Sequence, residues 1–222
     1  MSKLEELKQL YDRIHQCTKC YESSSCNIKP DSQKVQRVLV PGTLCSKVFL
    51  VGQALGGRTQ RLSGIPYTKP NEELSPAGKR LEKHLQKIGY CMPHLGNDSR
   101  QMVYSSDIVQ CYPGPKPPGG RDGKPTAQAI ATCLPWLVSE IEIMRPQIIV
   151  LLGKLTAQAF LRRYCRQDLE QVDTVLRKEF SCLLNGLRLY IYVLPHPAAA
   201  YPGFSSIYQD TFLLVKRHLA GS

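Results

Sequence analysis

Residues 103–133, VYSSDIVQCYPGPKPPGGRDGKPTAQAIATC, decide how the chain is read. An apolar, strand-like run from Met102 to Val109 carries a carboxylate at Asp107 and delivers a thiol at Cys111. A Pro/Gly loop follows, and Thr126 then opens a helix-like segment that holds a second thiol, Cys133. If the two thiols share a metal centre, that centre pins the strand end to the loop and fixes where Asp107 points. Residues 113–125 contain five prolines, four glycines and three Lys or Arg, Lys116 among them. Such a loop is not expected to pack as an element, and it suits contact with a nucleic-acid backbone.

Outward from this stretch the strand–turn–helix pattern recurs. Residues 48–51 run into Gly52-Gln53-Ala54-Leu55-Gly56-Gly57, a strand followed by a glycine-rich turn that lets backbone approach a ligand. The turn matches neither a Walker loop nor a dinucleotide fingerprint, and a plain tight turn explains it equally well. Residues 37–40 and 48–51 read as a hairpin around Pro41-Gly42. Ser75-Pro76 is a strong helix start for a helix over 77–88 closed by Gly89. In the helix over 127–144, Pro135 predicts a kink or a break. QIIVLL at 147–152 is continuously apolar, as in strands covered on both faces, and precedes Gly153 and a helix over 154–163. A last strand at 189–194 ends in Pro195-His196-Pro197, and a helix over 207–219 closes the chain. Strands near 48, 103, 148 and 190 alternate with helices. The expected architecture is an α/β fold: a three-layer α/β/α sandwich on a central, mainly parallel four-stranded sheet, with residues 1–222 as one domain. Ligands of such folds bind beyond the carboxyl ends of the strands, which gathers Gln53, Asp107, Gly153 and His196 on one rim.

Lys and Arg exceed Asp and Glu by 29 to 18, a net charge of +11 in 222 residues. That excess points to a polyanionic partner, most simply nucleic acid. No apolar run approaches the roughly 20 residues that span a bilayer, and the N-terminus has no signal-peptide core, so a cytoplasmic protein is expected. Nine cysteines, an odd number, argue against a full disulfide framework. An amphipathic helix over 3–16 leads into Cys17-Thr18-Lys19-Cys20, a pair found in zinc, iron–sulfur and redox sites. Following a helix, it is a poor fit for a thioredoxin-like site. Cys26 lies near enough to compete as a ligand, although it reads equally, like Cys45, Cys91, Cys165 and Cys182, as a small core residue.

Several motifs coincide in order: VFLVGQALGG, GIPY, SPAGKRL, VYSSDIVQCYP, ATCLPWL, PQIIVLLGKLTAQAFL and LPHPAAA. On these the chain resembles the uracil-DNA glycosylase superfamily, most closely its iron–sulfur (family 4) branch, over nearly its whole length. The resemblance implies a [4Fe–4S] cluster on Cys17, Cys20, Cys111 and Cys133, tying on an N-terminal segment (1–30). Chemically, four thiolates suit tetrahedral zinc as well. It also implies a monomer acting on DNA, with Tyr67 stacking on a flipped base and His196 donating to the base O2 as charge develops there. Gly153 and Lys154, at a helix start, would hold a phosphate. The side chain that enters the vacated stack falls at Ala200, leaving either Tyr201 or a weak wedge.

Two departures from the family matter. GQALGGRTQ has no carboxylate, so Gln53 could only orient a water, and Asp107 supplies the remaining negative charge. Asp107 also stands where the family's uracil-reading asparagine does. An amide satisfies both O4 and N3–H of uracil, whereas an ionised carboxylate only accepts and favours an exocyclic amine. A protonated Asp107 could instead donate to N3 of cytosine. Ordinary cytosine cannot be the target, so a modified cytosine is expected, with Ala54, Gly56 and Gly57 leaving room at C5 and Arg58, Thr59 and Gln60 placed to bond a sugar. Hydroxymethylcytosine or its glucosylated form in phage DNA fits, which would make the protein an antiphage glycosylase. The competing expectations are a conventional uracil-removing repair enzyme and a non-catalytic iron–sulfur DNA-binding module.

Overall fold

The four apolar runs become the parallel part of one sheet. A computed structural model describes residues 1–29, 37–95, 100–116, 120–167, 169 and 172–221. The sheet strands are β1 (Val48–Ala54), β2 (Tyr104–Val109), β3 (Ile148–Leu152), β4 (Glu179–Leu184) and β5 (Leu187–Leu194). Their spatial order is β2-β1-β3-β5-β4, with every pairing parallel except β4 with β5. β1, β3 and the end of β5 are buried without alternation, as strands covered on both faces must be.

The helices are α1 (Lys3–Gln16), α2 (Pro76–Leu85), α3 (Ala127–Met144), α4 (Lys154–Tyr164) and α5 (Phe204–Ala220). α3 packs on β2 and α4 on β1 and β3, while α2 and α5 pack together on the other face. The result is the expected three-layer α/β/α sandwich. α1, started by a Ser2–Glu5 capping box, adds Leu10, Tyr11 and Ile14 as a separate apolar cluster against Trp136 and Ile143 of α3. Among the described residues, no helix is long and apolar enough to cross a membrane.

The structure corrects four local expectations. The sheet has a fifth strand, because Asn185-Gly186, both at positive φ, closes a β4–β5 hairpin. Residues 37–40 form no strand: β1 is already paired on both sides, and Pro41–Thr43 is a 3-10 turn. Of the kink or break expected at Pro135, the break is absent: α3 runs on through the proline. It and Ala131, whose carbonyl it leaves without a helical donor, are both solvent-exposed, so water can satisfy the freed group. Finally, the Pro/Gly loop does pack. Residues 115–116 pair with 121–122, and Gly123 N–H donates to Gly114 O at 2.7 Å. Asn27 Nδ2 donates to Lys124 O at 2.8 Å, and its Oδ1 accepts from Thr126 N–H at 3.1 Å.

Candidate active site

Asp107 sits near the carboxyl end of β2, in register with Gly52 of β1, and only 5% of it is exposed. A Cβ built at position 52 would lie 2.3 Å from Asp107 Oδ1 and 3.2 Å from the Tyr67 hydroxyl. Glycine at 52 is therefore what lets the carboxyl and the tyrosine converge. The buried Gln60 side chain donates to the carboxylate. Burial pushes the Asp107 carboxyl up to about 7, the Glu140 charge adds to that, and Arg37 and the Gln60 bond oppose it. Near neutral pH this group exchanges between acceptor and donor.

Tyr67 is half-buried at positive φ (59°). Burial, then the Asp107 charge, raise its hydroxyl well above the usual range, so it stays a neutral ring. α2 braces it: Ser75 N–H donates to Tyr67 O at 2.8 Å, and Gly78 allows the helix to approach, since a Cβ there would meet Tyr67 O at 3.0 Å. Ser75 also caps α2, accepting from Gly78 N–H at 3.1 Å.

His196 follows β5 on the same rim. Ala198 N–H donates to His196 Nδ1 at 3.2 Å, which makes Nδ1 the acceptor and leaves the proton on Nε2. Burial lowers the ring's pKa, so a neutral Nε2–H donor is the form at pH 7. Gly153, at φ 97°, starts α4 and donates its N–H to Leu194 O at 2.8 Å. A Cβ at 153 would stand 3.2 Å from His196 Cβ, so β3 and the histidine loop meet only over a glycine. Lys154 is exposed at the start of α4, whose first-turn N–H groups have no partner within the helix itself. In the loop, Ala200 is exposed and Tyr201 is half-buried against the core.

The first-motif turn is more filled than its glycines suggest. A Cβ at Gly57 would come within 2.7 Å of the Tyr112 ring and 2.8 Å of Asp122 Oδ1, and one at Gly56 within 2.3 Å of Thr59 Oγ1. Gly57 N–H donates to Asp122 Oδ1 at 3.2 Å, the Tyr112 hydroxyl bonds Asp122, and the Arg61 guanidinium lies 4.7 Å from the Tyr112 ring centroid. The small residues at 56 and 57 thus admit the Pro/Gly loop, and Asp122 brings to this turn the carboxylate that its own sequence lacks. Gln53 and Ala54, at the end of β1, are half-buried; Arg58 is exposed, as is Lys116 on the loop. Sequence reasoning missed Asp122 and the role of Gly52, and it expected Gln60 to bond a sugar, whereas Gln60 is buried and donates to Asp107.

Cys17, Cys20, Cys111 and Cys133 line one cavity with Tyr21, Ile28, Val109, Thr132 and Trp136. Gln110 N–H donates to Cys133 Sγ at 3.1 Å, and the free thiols of Cys20 and Cys26 share a hydrogen bond. Burial pushes the Cys20 thiol up to about 12 and raises Cys133 as well, so ionising them near neutrality calls for a cationic centre. Among the described residues, no three His, Cys, Asp or Glu side chains are grouped closely enough to hold a single metal ion.

The uracil DNA glycosylase superfamily model matches residues 41–213. A type-4 uracil-DNA glycosylase of Saccharolobus solfataricus is 27% identical over 221 residues, 98% of this chain and 88% of that protein. Another, of Archaeoglobus fulgidus, is 29% identical over 215 residues, 94% of this chain and 91% of that protein. A type-5 uracil-DNA glycosylase of Pyrobaculum aerophilum is 38% identical over 126 residues, covering 54% and 50% of the two chains. The strand-end rim, the neutral histidine and the whole-length similarity agree: the chain belongs to the uracil-DNA glycosylase superfamily, in its type-4-like branch, and is a DNA glycosylase, a hydrolase of N-glycosyl bonds.

Proposed function

We propose that this enzyme takes a modified cytosine out of the DNA stack and hydrolyses its N-glycosyl bond, leaving an abasic site, with hydroxymethylcytosine or glucosyl-hydroxymethylcytosine of phage DNA as the target and antiphage defence as the setting. The observation that carries the reading is the Asp107 carboxyl, buried on the rim between Gly52 and Tyr67. Ionised, it accepts from an exocyclic 4-amino group and repels a 4-carbonyl. Tyr67 stacks on the base, and His196 Nε2–H donates to O2 as negative charge develops on the leaving base. Gln53 orients the water. Because Tyr112 and Asp122 fill the space beside Gly57, a C5 substituent would pass Ala54 toward Arg58 and Thr59. Gly153, Lys154 and Lys116 contact the DNA backbone, and Ala200 and Tyr201 border the gap left by the flipped base.

Cys17, Cys20, Cys111 and Cys133 would hold a [4Fe–4S] cluster, in preference to zinc. Four thiols line one cavity and suit either centre chemically, and the similarity to the type-4 enzymes favours the cluster. When bound, it supplies a tie between the segment after α1 and the end of β2, so that residues 1–30 join one domain. The enzyme works as a cytoplasmic monomer.

A second reading, excision of uracil, has its own support. The named relatives are uracil-DNA glycosylases, and a carboxyl held at about 7 carries, when protonated, a donor and an acceptor on one group, as an amide does. Oligonucleotides identical except for one uracil, cytosine, hydroxymethylcytosine or glucosyl-hydroxymethylcytosine, scored for alkali-labile sites, test the proposal. Release of a modified cytosine in preference to uracil supports it, and release of uracil alone refutes it.

A further inference from the structure

The loop carrying His196 is held by bonds on nearly every carbonyl. Pro195 O accepts from the buried Tyr208 hydroxyl at 2.6 Å, and His196 O from Ala199 N–H at 2.8 Å. Pro197 O and Ala199 O both accept from Arg80 Nη1, at 3.1 and 3.4 Å. The Arg80 guanidinium lies 5.4 Å from the centroid of the Phe204 ring, at the start of α5. Arg80 belongs to α2, whose first turn already braces Tyr67 through Ser75 and Gly78. One helix therefore reaches both the ring that stacks on the base and the loop that presents the proton donor.

We propose that Arg80 is a positioning residue: by holding the Pro197 and Ala199 carbonyls it keeps Ala198 N–H on His196 Nδ1, and so keeps Nε2–H aimed at the departing base. The proposal rests on the reading of His196 as that donor. The physical ground is that the turn 196–199 has no regular ladder, so its geometry depends on side chains that satisfy its carbonyls. An ammonium could also donate twice from one nitrogen, but only the flat guanidinium adds a face for the Phe204 ring while its Nη1 holds both carbonyls.

The test compares Arg80→Met, Arg80→Lys and, as a charge control on the same helix, Lys83→Met. Single-turnover base release and equilibrium binding are measured on uracil and hydroxymethylcytosine oligonucleotides, with 15N NMR of the histidine rings in DNA-free protein. Misplacing a reacting group by about 1 Å costs on the order of 100-fold. Arg80→Met is therefore expected to slow release about 30- to 100-fold with Kd within about twofold, and Arg80→Lys to recover part of it. The His196 ring signals should move from a pure Nε2–H pattern to a mixture of tautomers. Lys83→Met should change Kd and its salt dependence alone. If Arg80→Met behaves like Lys83→Met, or the His196 signals stay put in both Arg80 variants, the positioning role is overturned. A His196→Ala enzyme with undiminished release would instead sink the donor reading, which the NMR result on Arg80 does not touch.

Discussion

The two faces of β2 carry two buried carboxyl environments that differ in one respect, and the difference separates structure from function. On one face Tyr104 and Ser106 meet Glu140 of α3, which is fully buried and accepts from Tyr104 at 3.0 Å, Tyr11 at 3.1 Å, Ser106 at 2.9 Å, Gln110 at 2.9 Å and Arg37 at 3.1 Å. On the other, Asp107 has, among the described residues, one side-chain donor, Gln60, and feels the Arg37 charge without a bond to it. A carboxylate with a full set of donors is fixed in place and chemically inert. One left short of donors, at the open end of a strand and beside a glycine, keeps bonding capacity for something else. The same Gln110 that donates to Glu140 also donates to Asp107 O at 2.8 Å and, through its N–H, to Cys133, so the inert network sets the backbone on which Asp107 stands.

The contrast can be broken from either side. Glu140→Ala should cost the most, about 3–5 kcal/mol by urea denaturation, because it strands the buried Arg37 charge. Among molecules still folded it should leave the choice of target base unchanged. Gly52→Ala should cost about 100-fold in base release, since its Cβ would need the place of Asp107 Oδ1, with only about 1–3 kcal/mol lost in stability. The smallest effect concerns pH. With a carboxyl at about 7, the ionised fraction rises about tenfold between pH 6 and 8, so release of a 4-amino base should rise by about that factor and flatten in Asp107→Asn. Stability runs the opposite way. The folded state binds that proton more tightly than the unfolded chain, so its contribution is full below the ordinary 3.8 and is lost as pH rises through about 7. A pH series of denaturation midpoints for the two proteins checks the sign.

What the sequence made legible was whatever depends on local pattern. The apolar runs located the parallel strands, and the bare strand ends located Asp107, Gly153 and His196. The Ser75-Pro76 cap located α2. The β4–β5 hairpin also has a local sign, Asn185-Gly186 between alternating residues, but β4 is largely exposed and lacks the continuous apolar run that marks the other strands. The rest had no local sign. Nothing near Arg37 announces that it pairs with Glu140 some hundred residues on, and that isolated arginine was read as the start of a strand. Gly57 was read as room for a substrate, when its missing side chain makes room for Tyr112 and Asp122 from a loop expected not to pack. Nothing in SPAGKRL marks Arg80 apart from its neighbours, because the carbonyls it holds lie more than a hundred residues on.

The most direct measurement is the ratio of hydroxymethylcytosine to uracil release by wild type and Asp107→Asn, in matched oligonucleotides at pH 8. Restoring an amide at a base-reading position in a buried site should swing that ratio toward uracil by at least about 1,000-fold. A variant that loses activity on both bases, with the ratio unmoved, would contradict the account.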